Sequence, residues 1–160
     1  MELFFKKLLL IIGLVSISAI ALGQNKDALK YNKDVTIAGM DLDRLGYGRD
    51  YGAETDIAFK NILNKLDKAE DARNVAKLSE KIYYLRGSTY YRISEIIIQR
   101  GADHTGNLSP VAGITLQQAI ERAQSDLLKA YQYNGLKRFY IEQDYARLNR
   151  LIESINQAIN

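Results

Sequence analysis

YYLRGSTYY, residues 83–91, places four of the chain's eleven tyrosines in two pairs seven residues apart around one glycine. At 100° per residue, Tyr83, Gly87 and Tyr90 share one helical face, while Lys81, Tyr84, Ser88, Tyr91 and Glu95 step by 3, 4, 3 and 4 along the face beside it. A helix written this way has two jobs. The face with the glycine is expected to meet another helix closely, because a missing side chain lets two backbones approach. The second face carries two phenols, a hydroxyl and both signs of charge, which suits contact with another molecule.

The same period continues on both sides of this stretch. Residues 53–66 carry Phe59, Ile62, Leu63 and Leu66 at helical spacing, and residues 75–98 carry Leu78, Ile82, Leu85, Ile93 and Ile96. Leu116, Ile120, Ala123, Leu127 and Ala130 form a further stripe. Ile141, Tyr145, Leu148, Ile152, Ile155 and Ile159 step by 4, 3, 4, 3 and 4, a continuous apolar seam. No segment alternates with period two for long enough to make a sheet, so the expected fold is all-α: antiparallel helical hairpins, four to five helices in all. The only proline, Pro110, falls in RGADHTGNLSPVAG, residues 100–113, which has no apolar periodicity and reads as a loop insertion over 101–114. Residues 24–52 read as an irregular segment with a weak helix through Ala28, Leu29, Val35 and Ile37. The glycines of DLDRLGYGRDYG, residues 41–52, end it.

At the start of the chain, Lys6 and Lys7 precede an apolar run from Leu8 to Leu22 that closes in Ala21-Leu22-Gly23, the pattern of a secretory signal peptide over residues 1–23. The run is 15 residues long, short of the roughly 20 that span a bilayer, and no cysteine follows it for a lipid anchor. An uncleaved membrane anchor is the alternative. The expected mature chain begins at Gln24, keeps 137 of the 160 residues, has no stable membrane anchor, and is periplasmic or secreted. Mass spectrometry of the purified protein should therefore find Gln24 at the N-terminus, and a membrane-bound form retaining Met1 overturns the expectation.

Composition narrows the chemistry. Zero cysteines exclude thiol catalysis and cysteine-based metal sites, and loss of Lys6, Lys7 and Glu2 lowers the net charge from +3 to +2, too little to point to nucleic acid. Lys137, Arg138, Arg147 and Arg150 are the densest basic set, but Glu142 and Asp144 lie among them, the pattern of a solvated helix face. Asp41-Leu42-Asp43 followed by Gly46 has the opening of a calcium loop, yet Leu45 and Gly52 stand where ligands are required. Gly46-Tyr47-Gly48 lacks the third glycine and the preceding strand of a dinucleotide fingerprint. His104, the only histidine, has no second histidine at metal spacing and reads as an exposed loop residue. Carboxylates such as Glu95 and Glu121 could face each other across helices for acid–base work, but acids are common on helix surfaces. No metal site, cofactor or catalytic residue is expected.

Tyr83-x-x-Arg86-Gly87-x-x-Tyr90 resembles the first helix of a tetratricopeptide repeat, whose pattern is an aromatic, two residues, Leu-Gly, two residues and Tyr. Ala123, Leu127 and Ala130 follow the small, large, small spacing of that family's second helix, and Gly135 stands where its closing proline would be. The turn around Arg49-Asp50-Tyr51 resembles the family's inter-helix turn, and the last helix resembles a capping helix. Arg86 departs from the leucine, and Tyr90 to Ala123 is roughly two dozen residues longer than a repeat of about 34 allows. An unrelated four-helix bundle would carry the same apolar stripes. The resemblance implies an exported scaffold that binds a protein or peptide on the face of Lys81, Tyr84, Ser88, Tyr91 and Glu95. Tyr83, Gly87, Tyr90, Ala123, Leu127 and Ala130 would form its structural set. The rival readings are a helical-bundle enzyme or small-ligand carrier, and a homo-oligomer formed through the seam of the last helix.

Overall fold

A computed structural model describes residues 30–71, 79–133 and 138–159, and the expectations for the signal peptide, for Ala28 and Leu29, for Leu78 and for Gly135 lie outside them. Five helices account for most of the described residues: α1 over residues 30–45, α2 Ala53–Asp71, α3 Ser79–Arg100, α4 Leu116–Gln132 and α5 Arg138–Ile159. The fold is all-α.

The first helix is more regular than the sequence reading allowed. Its inward stripe is Tyr31, Val35, Ala38, Leu42 and Leu45, stepping by 4, 3, 4 and 3, with Val35, Ala38 and Leu42 fully or almost fully buried. Ile37, taken as part of a weak helix, is only half-buried. The tyrosine and the small alanine in this stripe had hidden its period. Helix α1 ends as expected where Gly46, Gly48 and Gly52 take positive φ of 65°, 64° and 64°, backbone that glycine adopts without strain. Arg100, at the end of α3, locks this turn to the start of α2. Its guanidinium donates to both oxygens of Asp50 at 2.7 and 2.8 Å and to the Gly52 carbonyl at 2.9 Å, and pairs with Asp56 at 2.7 Å.

Phe59, Ile62, Leu63 and Leu66 of α2 are buried as their spacing implies, and the helix runs on past Leu66 to Asp71. Helix α3 packs chiefly against α4, and further against α2 and α5; Leu85 also meets Gly39 of α1. Gly87 explains the closeness of the α3–α4 contact. A Cβ built there would stand 2.8 Å from Leu127 Cγ and 3.0 Å from the Leu127 backbone nitrogen. Ala123, Leu127 and Ala130 are fully buried around it.

The loop between α3 and α4 is anchored rather than bare. Val111 and Ile114 are buried and bond to each other's backbone, Ala102 bridges to Leu108, and the Ala112 amide donates to Asp56 at 2.9 Å. Leu108, the loop's other large apolar residue, is 39% exposed. Thr115 then opens α4 with a capping box, its hydroxyl accepting from the Gln118 amide while Gln118 accepts from the Thr115 amide. His104 is exposed.

Candidate functional site

Two polar clusters flank α3, one on each side, and both involve residues that simple periodicity assigns to the core. On the side of α2 and α4, Arg86 is 9% exposed. It forms a bidentate pair with Asp126 at 2.6 and 3.0 Å, and reaches Asp67 at 3.0 Å and Glu70 of α2. The residue that departs from the repeat pattern thus ties three helices together. Tyr83, expected in the core, is only half-buried. Its ring stacks on Tyr133 at 6.2 Å between centroids and has Arg86 and Lys129 within about 5.6 Å. Its partners Tyr133 and Lys129 are themselves 41% and 49% exposed, so Tyr83 lies at the open edge of the α3–α4 contact rather than at its centre. Tyr90 is buried, and its hydroxyl accepts from Arg122 at 3.3 Å.

The opposite side of α3 carries two cavities that share Tyr47 and together make a groove, the first bounded mainly by α1 and the second by α5. One cavity of about 450 Å³ is lined by residues that include Gly39, Met40, Lys81, Tyr84, Arg92 and Tyr140. A second, of about 500 Å³, is lined by Tyr47, Tyr91, Glu95, Arg147, Arg150, Leu151 and Ser154. Lys81, Tyr84, Ser88, Tyr91 and Glu95, predicted on one face, all border one cavity or the other. They do not form an open surface. Ser88 and Tyr91 are 2% and 4% exposed, with the Ser88 hydroxyl on Asp144 at 2.5 Å and the Tyr91 hydroxyl on Glu95 at 2.5 Å. Helix α5 covers this part of the face, and the hydroxyls that were expected to meet another molecule are spent within the chain.

Tyr47, from the Gly46-Tyr47-Gly48 turn, lines both cavities and stands between them. The Arg92 guanidinium carbon lies 3.9 Å from its ring centroid and that of Arg147 4.7 Å. Its hydroxyl donates to Asp144 at 3.3 Å, and Arg147 pairs with the same carboxylate at 3.3 Å. Asp144 is almost fully buried, and Arg92, also buried, donates to the Leu42 carbonyl. Two buried polar atoms here, Arg92 Nε and Glu95 Oε2, have no hydrogen-bond partner among the described residues. Burial pushes the Glu95 carboxyl above its ordinary range, against the pull of the Tyr91 hydroxyl and the Arg92 and Arg147 charges. Burial, and then the Asp144 carboxylate, push the Tyr84 hydroxyl up to about 12, so it stays a neutral donor at any physiological pH.

Sequence reasoning missed Tyr47, Arg92, Asp126 and Asp144, and placed Arg147 on a solvated face. Two of these did leave a signal. Asp144 falls between Ile141 and Leu148 at steps of 3 and 4, and Asp126 falls between Ala123 and Ala130 in the same way, so each carboxylate occupies a seam position. An acid on a buried stripe calls for a compensating partner: Arg86 of α3 meets Asp126, while Arg147 and the hydroxyls of Ser88 and Tyr47 meet Asp144. Tyr47 left only a phenol between two glycines. Glu95 and Glu121 do not form a pair: Glu121 is exposed and accepts from Gln117, while Glu95 accepts from Tyr91.

Among the described residues no cluster of histidines and acids has the makings of a metal site, and no helix is long and apolar enough to cross a membrane. Fold and site together define an all-α protein of packed helices with a polar, tyrosine-lined groove across its central helix. No family model, no curated protein and no solved structure matches this chain.

Proposed function

We propose that this chain is an exported, non-catalytic scaffold of the tetratricopeptide-repeat kind, periplasmic or secreted, whose groove over α3 holds a peptide segment of another protein. The observation that carries this reading is the groove itself. Helices α1, α3 and α5 contribute to one side of the molecule, and Lys81 and Tyr84 line the groove's floor while Met40 and Tyr140, each 56% exposed, line its rim. Exposed methionine and tyrosine give contact area and adaptable packing at little entropic cost, which favours a polypeptide occupant over a small rigid one. The signal-peptide pattern supports export, and the Tyr-x-x-Arg-Gly-x-x-Tyr pattern supports the repeat resemblance.

Site-specific photo-cross-linking in the producing cells tests the reading. A photoreactive residue at Met40 or Tyr140 should capture one discrete heterologous polypeptide, and the same residue at Glu121, exposed on α4, should not. Met40→Ala with Tyr140→Ala, both exposed, should leave the melting temperature within about 2 °C of wild type and remove the cross-link formed from a probe at Lys81. Cross-links to a second copy of the chain alone would instead establish self-assembly. No cross-link from any groove position refutes the scaffold.

A further inference from the structure

The geometry points to the pocket occupied by Tyr47 as the anchor subsite of this groove, built to receive a tyrosine of the bound peptide, with Tyr47 filling it in cis until that tyrosine arrives. This inference rests on the groove reading above and specifies the occupant's chemistry.

Four observations support it. The first is the match of the surroundings to a phenol: two guanidinium carbons within 4.7 Å of the ring centroid and a buried carboxylate at the hydroxyl. Guanidinium groups stack well on aromatic faces, and a carboxylate discriminates a hydroxyl-bearing ring from a plain one. Second, the present occupant is only partly enclosed by this socket. Tyr47 is 47% exposed, its hydroxyl bond to Asp144 is long at 3.3 Å, and the glycines on both sides have positive φ. Gly48 has no atom within 4 Å of where a side chain would begin.

The third observation is that Tyr47 leaves part of the socket's hydrogen bonding unused. Arg92, 95% buried, has Nε without an acceptor, and Glu95 Oε2 lacks a donor, one helical turn away on the same helix. Buried polar atoms are ordinarily satisfied; Arg92 lines the first cavity and Glu95 the second, so an unpaired donor and an unpaired acceptor flank Tyr47, where a peptide brings C=O and N–H groups. A tyrosine within a peptide brings both the ring and the amide; Tyr47 in its own tight turn brings only the ring. Fourth, Tyr47 is the residue shared by the linings of both cavities, so its displacement enlarges each of them as it frees the subsite.

The test uses the full chain and three small probes: N-acetyl-tyrosinamide, N-acetyl-leucinamide and p-cresol. In wild type, saturating N-acetyl-tyrosinamide should move the Tyr47 ring resonances, assigned by their loss in Tyr47→Phe, toward solvent-exposed positions. Tyr47→Ala removes the competing occupant and should tighten N-acetyl-tyrosinamide at least about 10-fold, since affinity is otherwise reduced by the fraction of open socket. The leucinamide and p-cresol should each bind Tyr47→Ala about 10-fold more weakly than the tyrosinamide. Arg147→Gln, at a half-exposed side chain, should weaken the tyrosinamide without unfolding the chain. Unmoved Tyr47 resonances in wild type at saturation overturn the inference, as does equal binding of the leucinamide or of p-cresol. Persistent cross-linking from Met40 and Tyr140 alongside such a failure would leave the groove reading standing and remove only the tyrosine subsite.

Discussion

Arg86→Leu, which puts a leucine where the tetratricopeptide pattern has one, should destabilise this protein by about 3–5 kcal/mol. The substitution looks conservative from the pattern alone, since a leucine at that position would extend the apolar face of α3. It fails because Asp126 is 4% exposed and would keep its charge with only Lys129, 4.0 Å away, as a cation. An uncompensated buried carboxylate costs far more than a leucine's transfer energy of roughly 2 kcal/mol returns. Removing both members separates the pair's own worth from the penalty of splitting it. Arg86→Leu with Asp126→Leu should recover most of the loss, because replacing a buried ion pair with apolar groups is often neutral. Urea unfolding of the two single variants and the double variant measures this. A double variant no more stable than Arg86→Leu would show that the contacts to Asp67 and Glu70, rather than Asp126, carry the energy.

The α3–α4 contact yields the second large effect. Leu127→Ala should cost about 2–5 kcal/mol, since the side chain is fully buried and its loss leaves a cavity beside Gly87. Gly87→Ala, which on an exposed helix would add up to about 1 kcal/mol through propensity, should here cost about 1–3 kcal/mol by overpacking. The two are coupled. A methyl at residue 87 meets Leu127 Cγ at 2.8 Å, so in the Leu127→Ala background the Gly87→Ala penalty should shrink, though not vanish, because the Leu127 backbone nitrogen remains at 3.0 Å. Additive losses in the double-mutant cycle would mean that the helices adjust by sliding apart instead.

How much of this was legible in the sequence depends on what kind of residue carried the information. The seams of α2 and α4 could be read because their buried positions are mostly apolar, and Gly87 because a lone glycine amid strong helix positions needs a steric reason; of the expected α5 seam only Ile141 and Leu148 are fully buried, with Tyr145, Ile152 and Ile155 half-buried. The face of Lys81, Tyr84, Ser88, Tyr91 and Glu95 was grouped correctly as neighbours by angle alone, since all five border the groove cavities. Angle alone could not show that α5 lies over part of that face. Period-counting treats a buried charge as a break in the pattern, so Arg86 with Asp126, Arg92 with the Leu42 carbonyl, and Asp144 with Ser88 and Tyr47 were invisible as partners. Their partners lie 40 and more residues apart in sequence, as Arg86 and Asp126 do, and no local rule links them. Tyr47 was harder still, because its position depends on a turn whose direction is set by three positive-φ glycines.

The central position of α3 has a consequence for how the molecule comes apart. It contacts α2, α4 and α5, and through Leu85 and Arg92 it also touches α1. In a linear repeat array each unit leans only on its neighbours, and such arrays can fray from one end while the remainder persists. Here neither α1 nor α5 can leave without uncovering the same shared helix, so unfolding should be a single cooperative event. Native-state hydrogen exchange should show the amides of α3 opening only at the global unfolding free energy, with α1 and α5 protected to nearly the same degree. Exchange that proceeds helix by helix from α5 inward would instead identify the chain as an array whose units are energetically separable.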